Sequence, residues 1–107
     1  MAAYVAFIID IHDPARFSAY ARAAAPTYDN HGGRIILRGP IVSVLEGSLE
    51  LGEDTRLVVI EFPSASEAQA WWESEEYQAT ITLRRHPVSG GRAFLVDGID
   101  LEPTNPS

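Results

Sequence analysis

The sequence predicts an α+β domain in which two strand-helix-strand units share one sheet. Runs that are apolar on both faces occur at 4–9, 57–60 and 93–96, and only two other stretches have helical apolar spacing. Because alternate side chains of a strand point to opposite faces, such runs need cover on both sides of the sheet. Two helices, each about 10 Å across, cover one face of a four-stranded sheet about 19 Å wide. We therefore expect a second copy of the chain to cover the other face.

Four segments have the composition of strands. They lie at 4–11, 34–46, 56–62 and 92–96. The second strand is expected to bend at Gly39-Pro40, since proline cannot donate a hydrogen bond to a neighbouring strand. An acidic loop at 46–55 then leads into the third strand.

Two helices are predicted between these strands. Asp13-Pro14 predicts the start of the first, with the aspartate as N-cap, and Pro26 is expected to end it. The second follows a capping box at 64–67 and extends to residue 86, with a brief interruption at 74–76. The resulting βαββαβ order is typical of a ferredoxin-like domain with a four-stranded antiparallel sheet. We expect residues 1–98 to form this single domain and 99–107 a flexible tail.

The composition restricts the partners. Fifteen acidic and eight basic residues give a net charge of -7, which disfavours nucleic acid and anionic membranes. The absence of cysteine and of a signal-like start favours a cytoplasmic protein. Three histidines at isolated positions and no thiolates disfavour a metal site, and no cofactor is predicted.

Several short motifs recur along the chain in a recognisable order. They are Gly32-Gly33, Arg38-Gly39, Leu45-Glu46-Gly47, Val59 to Ser64, Ala68, Trp71, Ser74, Tyr77-Gln78 and Leu83-Arg84. Together they resemble the family known as domain of unknown function 1330, over about residues 4–98 and most specifically at 61–78. The resemblance implies a dimeric α+β barrel, in which two ferredoxin-like sheets close face to face with the helices outside. Proteins of this superfamily include cofactor-independent monooxygenases, haem-degrading enzymes, isomerases and ligand sensors, so the resemblance implies no particular reaction.

Two residues are candidates for proton transfer. Glu61 ends an apolar strand, where burial would raise the pKa of a carboxyl group and suit it to acid-base catalysis. His31 precedes a glycine pair in a turn that could overhang a pocket, where an imidazole could act as a base. The alternative for Glu61 is a structural ion pair at the strand end, and the alternative for His31 is a turn position without chemistry.

Four residues are candidates for ligand binding. Arg38 and Arg84 could clamp an anionic group through paired guanidinium donors, although Arg84 is equally well explained by an ion pair with Glu61 or another acid. Trp72 and Tyr77 could line an apolar pocket between the second helix and the sheet, or could simply pack in the core or a dimer interface. Because Trp72 follows another tryptophan on the same helix, only one of the two indoles can point inward.

Two functions therefore remain open. One is a homodimer that binds a small, partly apolar molecule in a helix-sheet pocket, with or without cofactor-independent chemistry. The other is a non-catalytic dimeric module whose polar strand residues set pairing and register. An enclosed pocket holding Glu61 and an arginine would favour the first, whereas a region packed shut by aromatic residues would favour the second.

Overall fold

A computed structural model of the protein describes residues 1–99 of the 107. Apart from Ile99, the tail expected at 99–107 lies outside the described residues, and the domain bounds of 1–98 stay a prediction. Seven elements follow one another along the chain. They are β1 (Ala3–Ile11), α1 (Pro14–Asp29), β2 (Arg34–Pro40), β3 (Thr55–Phe62), α2 (Ala65–Glu73), α3 (Glu75–Ile81) and β4 (Ser89–Asp97).

The four strands form one antiparallel sheet in the order β2-β3-β1-β4. This order and the element sequence confirm the predicted ferredoxin-like α+β fold. The side chains of Val5, Phe7 and Ile9 are buried at 3–4% exposure, because the helices pack on their side of the sheet. We call this side the helix face. The opposite side, to which the alternate β1 residues point, is called the open face.

Trp71 is the centre of the core. Its side chain has 0% exposure, and its indole Nε1 donates a hydrogen bond of 3.0 Å to the Thr27 hydroxyl of α1. The ring of Tyr77, also at 0% exposure, lies with its centre 4.0 Å from that of Trp71. Trp72 is only partly buried, which confirms the prediction that one of the adjacent tryptophans cannot point inward.

The end of α1 differs from the prediction. Asp13 caps the helix, since its side chain accepts from the Arg16 N–H, but Pro26 lies inside the helix and not at its end. Proline removes one helical hydrogen bond and costs free energy in a helix interior. The last turn is nevertheless held, because Thr27 accepts from the core indole and the Asn30 N–H donates to the Pro26 carbonyl at 3.1 Å. Tertiary contacts thus override the local signal at Pro26.

The second strand is shorter than predicted. It ends at Pro40 and not at residue 46, and its register shift lies between Ile35 and Leu37 and not at Gly39-Pro40. Pro40 is opposite Arg56 at the start of β3, so the chain beyond Pro40 has almost no strand to pair with. Only the Ile41 N–H continues the pattern, donating to the Thr55 carbonyl at 2.9 Å.

The predicted interruption of the second helix is confirmed. Ser74 ends α2 and begins α3, and its hydroxyl accepts from the Tyr77 N–H at 3.2 Å. The predicted helix end at residue 86 is wrong, because α3 ends at Ile81 and turns occupy 82–88. Within residues 1–99, no helix combines the length and the apolar composition needed to cross a membrane.

Candidate functional site

A cavity of about 240 Å³ lies between α1 and the helix face of β1, β2 and β3. Ala21 and Ala24 of α1 face it, and their short side chains leave the space that a larger residue would fill. Its aromatic walls are Phe7, Phe17, Tyr20 and Tyr28. We call this space the α1 cavity.

Two arginines line the α1 cavity, Arg38 of β2 and Arg56 of β3. The Arg56 guanidinium donates two hydrogen bonds, of 2.9 and 3.0 Å, to the carboxylate of Asp54. Arg38 forms no salt bridge with any carboxylate among residues 1–99. It is therefore the cation of the cavity that is available to an external anion.

Tyr28 adds a neutral hydroxyl to the same lining. Burial raises the pKa of Tyr28, and the nearby Arg38 charge opposes this change only in part. The phenol therefore stays protonated at neutral pH. An aromatic wall, a phenol and an unpaired guanidinium can together hold an apolar molecule that carries one negative group.

A second polar group lies inside the aromatic core, next to the α1 cavity. The hydroxyls of Tyr20 and Tyr77 are 2.8 Å apart, and Arg84 Nε donates to the Tyr77 hydroxyl at 3.4 Å. The Arg84 guanidinium carbon lies 5.3 Å from the ring centre of Phe7 and 6.0 Å from that of Trp72, within the range of cation-π attraction. Burial, and then the neighbouring Tyr77, raise the pKa of Tyr20, so this hydroxyl also stays protonated.

The structure does not bring Trp72 and Tyr77 together as the walls of one pocket. Tyr77 is fully buried and does not line the α1 cavity. Trp72 borders an open groove of about 270 Å³ between α2 and β4. The two arginines predicted to bind an anion are also apart. Arg38 lines the α1 cavity, whereas the Arg84 guanidinium packs against the rings of Phe7 and Tyr20 and does not line that cavity.

Glu61 lies on the open face, on the other side of the sheet from the aromatic core. It is opposite Tyr4 of β1 and Arg34 of β2, and its carboxylate accepts from Arg34 Nη2 at 2.9 Å and Arg34 Nε at 3.0 Å. The pocket expected to hold Glu61 with Arg38 or Arg84 is therefore not formed within one chain. The structural ion pair considered for Glu61 is formed, but with Arg34 and not with Arg84, and sequence reasoning missed Arg34 as its partner.

His31 lies at the junction of three helices. Its Nδ1 is 3.8 Å from Glu67 Oε2 at the start of α2, and its Nε2 is 3.4 Å from Glu76 Oε1 at the start of α3. Asn30 donates to the other oxygen of Glu76 at 3.3 Å. His31 therefore joins the helices to one another, and it does not line the α1 cavity.

Sequence reasoning also missed Tyr28 and Arg56 as cavity residues. Tyr28 follows Tyr20 and Ala24 at helical spacing, so this stripe was the available signal, but the expected helix end at Pro26 excluded it. Arg56 gave no local signal. Its position follows from its register opposite Pro40.

The sheet with helices on one face defines a ferredoxin-like α+β protein. The chain belongs to the family described as domain of unknown function DUF1330, whose sequence model matches residues 2–99. This confirms the resemblance seen in the motifs. No protein of curated function matches the chain.

Solved structures share the fold. A protein of unknown function from Rhodopseudomonas palustris is 15% identical, with a TM-score of 0.75 over 94% of this chain and 84% of that chain. SnoaB, a cofactor-independent oxygenase from Streptomyces nogalater, is 11% identical, with a TM-score of 0.67 over 95% and 97%. A dimeric ferredoxin-like protein of unknown function from Thermobifida fusca is 12% identical, with a TM-score of 0.60 over 91% of each chain. At these identities the likeness shows the fold alone.

Proposed function

We propose that this protein is a homodimer that binds a small, partly apolar carboxylate in the α1 cavity. The observation that supports this most directly is Arg38, a guanidinium without a described acidic partner beside an aromatic-walled cavity. The ring atoms of a ligand would pack on Phe17 and Tyr20, while its carboxylate would accept paired hydrogen bonds from Arg38.

The size of the cavity limits the ligand. Ligand pockets usually measure about 300–1,000 Å³. The α1 cavity, at about 240 Å³, lies just below this range. A single-ring aromatic acid or a short branched acid therefore suits it better than a fused polycyclic molecule or haem.

Binding is better supported than catalysis at this site. Among residues 1–99, no carboxylate or imidazole lines the α1 cavity, so a proton-transfer role there would fall to the phenols of Tyr20 and Tyr28, whose pKa is raised by burial. Glu61 and His31 stay predictions as catalytic residues. The complete burial of Tyr77 and Trp71 favours the second candidate function, a non-catalytic dimeric module, in the region where the first pocket was expected.

Dimerisation is proposed through the open face. Leu37, Phe94 and Val96 carry apolar side chains at 47–49% exposure, and the alternate residues of β1 and β3 between them are also mostly apolar. A second copy packed face to face would remove this surface from water. A cytoplasmic location and the absence of nucleic-acid partners stay predictions from composition.

Ligand binding can be tested by calorimetry and thermal melting with benzoate and with neutral benzamide as a matched probe. We expect benzoate and not benzamide to bind, and Arg38→Ala to weaken benzoate binding at least about tenfold, since a charge-assisted hydrogen bond is worth about 1.5–3 kcal/mol. Arg22→Ala, which removes an exposed arginine from α1 outside the cavity, is the control. Equal binding by the Arg38→Ala variant would show that the α1 cavity does not use Arg38.

A further inference from the structure

A groove of about 480 Å³ lies where β4 begins, between this strand and the turn that follows α3. We call it the β4 groove. Three of its lining residues are arginines, namely Arg84, Arg85 and Arg92, and His86 lies beside them. The chain has only eight basic residues in total, all arginine, so this concentration is notable in a protein with a net charge of -7.

The arginines of the β4 groove have no described counter-charge. No carboxylate lines the groove within residues 1–99, and none of the three arginines forms a salt bridge there. In contrast, Arg34 and Arg56 are each paired with an acid. The local potential is therefore positive on a protein that is acidic as a whole.

Arg84 provides the strongest evidence for a ligand. It is partly buried, its guanidinium lies against the rings of Phe7, Tyr20 and Trp72, and its described polar partners are only the neutral hydroxyls of Tyr77, at 3.4 Å, and of Tyr20. A guanidinium has five N–H donors, and burying a cation costs free energy unless an anion compensates it. The aromatic rings supply only part of that compensation.

The remaining donors of Arg84 can be reached from the groove. No buried side-chain nitrogen or oxygen among the described residues lacks a hydrogen-bond partner, so the guanidinium nitrogens without one must retain some exposure. Arg84 itself lines the groove, and the small residue Gly90 beside it has open space where a side chain would stand. Arg84 is the partly buried arginine of the groove, Arg85 is exposed, and Arg92 reaches the groove from the open-face side of β4, opposite Ile8.

We infer that the β4 groove binds a small anion that carries two or more negative charges. Arg84 would form paired hydrogen bonds with one anionic group, and the exposed Arg85 and Arg92 would attract the rest of the charge. Phosphate esters and di- or tricarboxylates share this chemistry. Phe7 and Tyr20 lie between the β4 groove and the α1 cavity. Anion binding in the groove therefore does not depend on ligand binding in the cavity.

The test is isothermal titration of the full chain at low salt with pyrophosphate and with citrate. We expect saturable binding of at least one of them, at one site per chain, that weakens as salt increases. Pyrophosphate binding alone would assign a phosphate ligand, and citrate binding alone would assign a carboxylate ligand. The absence of saturable binding by both would overturn the inference.

The matched variants are two double substitutions with the same change in charge. Arg85→Gln with Arg92→Gln changes exposed residues of the groove, and we expect at least about a tenfold loss of affinity, because both cations that attract the anion are removed. Arg16→Gln with Arg22→Gln changes exposed arginines of α1 and should leave affinity within about twofold. Equal loss in both pairs would show general charge attraction and no site. Sedimentation of each variant checks that its assembly state is unchanged.

Discussion

Thr27 shows how a single hydroxyl can organise the core of this protein. It lies beyond the proline of α1, accepts from the indole of Trp71 at 3.0 Å and donates to the Ala24 carbonyl at 2.6 Å. The Trp71 side chain has 0% exposure, so its indole N–H has no access to water. The last turns of α1 and α2 are therefore joined by one buried hydrogen bond.

Thr27→Val should lower the free energy of unfolding by about 1–3 kcal/mol, because it leaves the indole N–H buried without an acceptor while conserving shape. Thr27→Ser keeps the hydroxyl and should lose clearly less. Urea denaturation of the two variants measures the difference. Equal losses would show that the methyl group removed by Thr27→Ser matters as much as the hydrogen bond, and would contradict a dominant role of the hydroxyl.

The raised pKa of the buried Tyr20 predicts that the protein loses stability in alkali. Burial raises its pKa above the ordinary value of 10.0, so the folded state keeps its proton at a pH where the unfolded state loses it. The contribution of Tyr20 to the free energy of unfolding is therefore fully present below about pH 10 and falls as the pH rises further. The free energy of unfolding of Tyr20→Phe should decline less steeply between about pH 9 and 11 than that of the wild type. Parallel curves would contradict this assignment.

At the scale of elements, the helix starts were readable because capping is local. Asp13 and Ser64 each accept a hydrogen bond from the N–H three residues on, as their spacing predicts. The helix ends were harder to predict. Pro26 lies inside α1, whose last turn is held by a contact with α2. The second predicted helix was expected to extend to residue 86, but α3 ends at Ile81, without a proline to stop it.

Ser74 joins α2 and α3, and its substitution tests this junction. Its hydroxyl donates to the Trp71 carbonyl at 2.7 Å and accepts from the Tyr77 N–H at 3.2 Å. Ser74→Ala should lower the free energy of unfolding by about 1 kcal/mol. Ser66→Ala, at an exposed position on α2, should change it by less than about 0.5 kcal/mol. Thermal and urea denaturation distinguish the two, and equal effects would rule out a capping role.

At the scale of the whole molecule, the proposed dimer depends on the open face. Val59 lies on this face between Leu37 of β2 and Ala6 of β1. In the proposed dimer, an arginine at this position would be buried without a partner, which costs several kcal/mol. Val59→Arg should therefore sediment as a monomer at micromolar concentration, whereas the wild type should sediment as a dimer.

Ala15→Arg is the control for that experiment. It adds the same charge at an exposed position of α1, away from the sheet, and should leave the dimer intact. Circular dichroism checks that the Val59→Arg chain is still folded. A wild-type chain that remains a monomer at micromolar concentration would remove the basis for the open-face interface.

The sequence by itself determined the element order, the helix starts, the apolar character of both sheet faces and the family. These properties depend on spacing along the chain, which caps, period-2 alternation and short motifs record locally. Arg38 and Arg84 could also be recognised from the sequence as candidate anion-binding residues.

Only the tertiary structure decided which of these residues meet. A shift of one residue in strand register moves every side chain to the other face, so the pairing of Glu61 with Arg34 could not be read from one sequence. The α1 cavity and the β4 groove likewise depend on how far each helix lies from the sheet. That distance is set by the packing of side chains from distant parts of the chain, and no local pattern records it.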